Sequence, residues 1–70
     1  MNMEQTKRYN RGRRLTDELY DVTNKFQKLR FFLDTTENIS DVDKVILDTQ
    51  ASVMKEYIEI LNKRIQQTIY

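Results

Sequence analysis

The apolar residues of this chain fall on two helical ladders, one after the other. The first runs through Leu15, Leu19, Val22, Phe26, Leu29 and Leu33, at steps alternating between four and three. The second runs through Leu47, Ala51, Met54, Ile58, Leu61, Ile65 and Thr68 with the same alternation. Steps of four and three keep side chains on one side of an α-helix, whereas a strand needs a period of two. Each ladder is a narrow seam of the a/d kind, and two seams in succession are satisfied by folding the helices back on one another. The fold class is therefore all-α, an antiparallel two-helix hairpin.

Seventy residues allow one domain. We divide it into a basic N-terminal segment (1–14), a first helix (15–34), a connection (35–39) and a second helix (40–69). One glycine and no proline leave both helices without internal punctuation. The start of the first helix has two readings. Thr16, followed by Asp17 and Glu18, has the pattern of an N-cap with acids in the first turn, which would leave 1–14 as a flexible arm. If the helix instead begins near Gln5, a reading slightly preferred despite Asn10 and Gly12, then Lys7, Arg11 and Arg14 share a face at i, i+4 and i+7. For the second helix, Ser40 is the expected N-cap, with Asp41 and Asp43 in the first turn.

A hairpin this small buries little apolar surface, and the usual supports are disulfides, a metal or self-association. The chain has no cysteine and no histidine, so self-association is the support left. A second apolar line on the later helix (Ile46, Val53, Tyr57, Ile60), together with Tyr20, Phe31 and Phe32, lies off the seams. One partner helix covers about a third of a helix surface, so these residues need a further neighbour. We expect a homo-oligomer completing a helical bundle, with Tyr20, Phe31, Phe32, Val53, Tyr57 and Ile60 at the interface.

Catalysis has little to work with. Ser/His and Cys/His nucleophilic arrangements are excluded by composition, and one glycine rules out a glycine-rich phosphate loop. Asp41, Asp43 and Asp48 superficially suggest a calcium loop, but no glycine holds the sixth position and Ser52 replaces the bidentate glutamate. Glu56 and Glu59 have the spacing of helical metal ligands without the histidine that di-metal bundles add. We expect no enzyme, no metal site and no cofactor.

Charge is the stronger functional signal. Residues 1–14 carry Lys7, Arg8, Arg11, Arg13 and Arg14 against Glu4 alone, although the whole chain is only +1. Guanidinium forks suit phosphates, and Tyr9 offers a ring for stacking on a base. Lys7, Arg8, Tyr9, Arg11 and Arg14 are the candidate anion- or nucleotide-binding residues. Solvated charge that maintains solubility is the plainer reading of the same segment. A helix-turn-helix needs short helices at a steep angle, so sequence-specific DNA reading is disfavoured, and only salt-dependent contact with generic duplex remains. The longest apolar runs, Phe31–Leu33 and Val45–Leu47, are far too short to span a membrane. A soluble, cytoplasmic protein is expected.

The stretches Arg14-Leu15-Thr16-Asp17-Glu18-Leu19, Lys28-Leu29-Arg30-Phe31-Phe32-Leu33, Leu47-Asp48-Thr49-Gln50 and Met54 to Ile65 resemble a family of small helical-hairpin proteins of tailed phages, of the crAss-like phage type. The likeness covers residues 14–65 and rests on spaced core positions. It implies a phage or prophage origin, a helical hairpin, no catalytic residues, and residence in the cytoplasm of an infected bacterium. Arg8-Tyr9, with Ser40, Lys44, Val53 and Met54, is more faintly similar to the phage sponges that sequester cyclic nucleotides of CBASS immunity; the histidine-proline segment near the start of those proteins is absent here. The resemblances together imply an anti-defence protein acting by stoichiometric binding. Its partner would be a nucleotide immune signal or, alternatively, a host enzyme or defence complex that it inhibits. A DNA-associated or structural phage protein is the third reading.

Overall fold

The computed structural model describes residues 2–69; the side chains of Glu4, Arg8, Tyr9 and Ile69 lie outside that description. Two helices account for the fold: α1, Met3–Thr35, and α2, Asp41–Ile69. They lie antiparallel in a rod of 55 × 14 × 13 Å. The long dimension is what 33 residues of α-helix produce at about 1.5 Å of rise per residue.

The helix starts at the earlier of the two sites the sequence allows. Asn2 caps it: its Oδ1 accepts from the Gln5 amide at 2.8 Å, while the Asn2 amide donates to Gln5 Oε1 at 3.0 Å. This reciprocal pair is a capping box that satisfies amides which otherwise have no partner in the first turn. Thr16 is not a cap. Its hydroxyl donates to the Gly12 carbonyl at 2.9 Å, four residues back, so its hydrogen-bonding capacity is spent within the helix. The basic segment is accordingly helical from residue 3 and continuous with the seam-bearing part.

At the other end, the Thr36 amide donates to the Phe32 carbonyl at 2.9 Å and the backbone then turns extended. Residues 36–40 connect the helices. Ser40 caps α2 as its sequence suggests: its Oγ accepts from the Asp43 amide at 3.1 Å. Asp41 and Asp43 occupy the first turn, against the exposed amides and the positive end of the helix dipole.

Every residue of the two ladders is buried or half-buried between the helices. Among the described residues, Leu15, Val22, Ala51 and Leu61 are buried, with Leu19, Met54, Ile58 and Ile65 half-buried beside the core. This is a thin core for a rod of such length. On one broad face Arg30 bridges the helices, its guanidinium 3.2 Å from Asp34 and 3.9 Å from Asp48. On the other, the Tyr57 hydroxyl donates to Glu18 Oε1 at 3.3 Å.

Candidate functional site

The open end of the hairpin, away from the connection, brings the start of α1 against the end of α2. Because α1 is helical there, Lys7, Arg11 and Arg14 stand one above another on a single face. Antiparallel packing sets Arg64 of α2 beside them. Lys7, Asn10, Arg11, Arg14 and Arg64 line an open groove of about 400 Å³, with Leu15 at its base. Leu15 is 6% exposed and belongs to the core, so the cations rise from a rigid floor.

Among the described residues, the lining holds four cations, one amide and no carboxylate. Two other hollows show how particular this is. One, of about 360 Å³, has Phe26, Ala51 and Ser52 with Arg30 and Lys55, but its Arg30 is engaged by Asp34 and Asp48. The second, also about 360 Å³, follows α1 past Thr16, Leu19, Tyr20 and Thr23 and carries no charge. The groove at the open end gathers guanidinium donors from both helices, the arrangement that suits a phosphate or another compact anion.

Three of the residues proposed from the sequence, Lys7, Arg11 and Arg14, meet in this groove. Arg8 and Tyr9 also belong to that proposal, and their side chains lie outside the described residues. Arg13 is not in the lining, although it adjoins Arg14 in sequence. Asn10 and Arg64 are additions from the structure. Arg64 sits fifty residues from Arg14 in the chain, outside any basic run, and joins the groove only through the hairpin register.

The positive charge of Arg64 is also felt at Tyr57. Desolvation pushes the Tyr57 phenol above its ordinary value, the negative charge and hydrogen bond of Glu18 push in the same direction, and Arg64 opposes them. Lys7, Arg11, Arg14, Glu18, Tyr57 and Arg64 therefore share one face of the rod.

The apolar residues off the seams are exposed, and they divide between two sides. Val53, Tyr57 and Ile60 align with Val42 and Ile46 in an arc of about 60°, centred about 100° from the α2 seam at about 100° of turn per residue. The Tyr57–Glu18 bond fixes this stripe on the same broad face as the groove. Phe32 flanks that face from α1, whereas Tyr20 and Phe31 fall about 150° from the α1 seam, on the outer side of the rod.

Among the described residues, no group of three or more His, Cys, Asp or Glu is placed to hold a metal ion, and no helix is long and apolar enough to cross a membrane. No curated protein and no solved structure matches the chain. The Sequestin family model matches residues 11–67, which span both helices and the connection, and the chain belongs to that family.

Proposed function

We propose that this Sequestin-family chain acts without catalysis, by stoichiometric sequestration of an anionic nucleotide, in the setting of a phage protein countering a nucleotide immune signal of its bacterial host. The observation that carries the reading is the groove that brings Lys7, Arg11, Arg14 and Arg64 together. The family name, which denotes sequestering, supports the same kind of action.

In this reading Arg11, Arg14 and Arg64 hold phosphate oxygens through charge-assisted hydrogen bonds. Lys7 adds positive potential at the rim, and Asn10 can donate to or accept from a sugar or base edge. Holding an anion requires no proton transfer and no reacting centre.

Native mass spectrometry on protein purified from its host, with no ligand added, tests the proposal. Protein carrying an extra mass in the nucleotide range, lost in an Arg11→Ala, Arg14→Ala protein, is the expected result. Protein with no bound mass, together with unchanged affinity of the double variant for a panel of nucleotides, sinks it.

A protein-binding inhibitor is the second reading. It is favoured by Tyr20 and Phe31, which are 68% and 71% exposed on the outer side of α1, away from the groove. Large aromatics of this kind are common anchors in protein interfaces. Capture of one host protein in stoichiometric amount, abolished by Tyr20→Ala with Phe31→Ala, would support it over nucleotide sequestration.

A further inference from the structure

The hairpin exposes more surface than a self-sufficient protein of its mass. A folded monomer of 8.5 kDa is expected to expose about 4,700 Å². The chain exposes 6050 Å², roughly 1,400 Å² in excess of that expectation. Specific dimers bury about 800 Å² per partner and obligate ones more, so the excess matches what one interface removes. The exposed apolar residues say where that interface lies. Val42, Ile46, Val53, Tyr57 and Ile60 form one stripe along α2, spanning most of the helix, and four of them are more than half exposed.

The charges say how a second copy would lie on it. At the open end, residues 1–14 and 62–70 together hold seven basic side chains against one acid. At the closed end, residues 34–48 hold Asp34, Glu37, Asp41, Asp43 and Asp48 against Lys44 alone. The rod is thus positive at one end and negative at the other, over 55 Å. Side by side in parallel, two copies would place like charges together at both ends; antiparallel, each basic end meets an acidic one. The stripe is compatible with that arrangement, because a two-fold axis at Val53 carries Ile46 onto Ile60. Both are β-branched isoleucines of similar exposure, 58% and 52%.

We propose that the α2 stripe docks on the same stripe of a second, antiparallel copy of this chain, forming a four-helix dimer with its axis near Val53. Burial of the stripe holds the dimer together, and the end charges set its orientation. Each basic groove then lies beside the partner's connection, so the second copy becomes a wall of the site. The dimer rests on exposed area and charge, independently of which anion the groove takes.

Two measurements test this. In size-exclusion chromatography with light scattering, the wild type is expected at twice the 8.5 kDa chain mass. Val53→Glu, which sets two carboxylates against each other at the axis, weakens the dimer by at least about a hundredfold. A wild type that stays at the single-chain mass at 100 µM overturns the proposal. Val53→Glu could also disrupt the dimer by unfolding a marginal chain, so orientation is tested separately with folded proteins. The chain has no cysteine, and Ile46→Cys and Ile60→Cys both alter exposed positions. When the two are mixed and oxidised, an antiparallel dimer joins residue 46 of one copy to residue 60 of the other. Disulfides only between identical positions, or none, overturn the arrangement.

Discussion

Replacing Arg64 by alanine separates a built site from a general positive field. Arg64 lines the groove with Lys7, Arg11 and Arg14, while Arg13 carries the same charge one residue from Arg14 and is not in the lining. Arg64→Ala and Arg13→Ala therefore change the net charge equally and the groove unequally. A hydrogen bond to a charged group is worth about 1.5–3 kcal/mol, which is a loss of roughly tenfold to more than a hundredfold in affinity on removing Arg64. An exposed charge outside the site acts through water and salt, and its removal should cost well under about 1 kcal/mol, less than fivefold. The assay is fluorescence anisotropy with a labelled nucleoside diphosphate at fixed ionic strength, repeated at 50 and 300 mM salt. Arg64→Ala should weaken binding at both salt concentrations, with Arg13→Ala near wild type at the higher one. Equal losses for the two variants would refute the argument, because they would mean that the anion senses total charge and not the groove.

Other predictions concern the scaffold. Gly12→Ala should stabilise the protein by about 0.5–1 kcal/mol in urea unfolding followed by circular dichroism. A Cβ there would sit 3.5 Å from Thr68 Cγ2, an ordinary contact, so the gain in helix propensity is not offset by a clash. Leu61→Ala should cost about 2–5 kcal/mol in the same assay, because Leu61 is 0% exposed at the centre of a thin core. Stability should also fall as pH rises above about 10: the folded-state pKa of Tyr57 is raised above its unfolded value, so the folded chain binds more protons there. Tyr57→Phe should flatten that part of the pH profile, which pH-dependent urea midpoints would show.

The fold was legible because it depends on local periodicity. Leu15 to Leu33 and Leu47 to Thr68 keep step with a helix whatever the rest of the chain does, and all of those positions lie between the helices. The start of α1 was harder to read because two cap patterns competed. Thr16 with its following acids has the more familiar composition, yet Asn2 with Gln5 closes a reciprocal box, and the Thr16 hydroxyl turns back to Gly12. Between these alternatives a continuous helix also keeps the backbone hydrogen bonds of residues 3–15, which an arm would surrender to water. The cations on α1 were legible as a run, and their common face followed once the segment was helical.

Arg64 was hidden for a different reason, although the information that places it was present. Contacts along a hairpin are fixed by where the chain turns. With residues 36–40 as the connection, partners across the seam have numbers summing to about 76, since both helices rise equally per residue. The structure keeps to this rule within about one helical turn: Tyr57 bonds Glu18, Arg30 faces Asp48, and Thr68 approaches Gly12. Folding the sequence about residue 38 brings Arg64 within about a turn of the Arg11–Arg14 level, where it lines the groove. A basic residue in an otherwise ordinary stretch of α2 thereby becomes the fourth cation of the groove. The same rule makes the groove sensitive to register. Lengthening the connection by enough residues to slip α2 by one helical turn would carry Arg64 about 5.4 Å along the rod, away from the Arg11–Arg14 level, while leaving all the basic residues in the chain. Anion affinity in such an insertion variant should fall toward that of Arg64→Ala. Retention of full affinity would show that the charges bind as a cluster without regard to position, and the groove would no longer explain them.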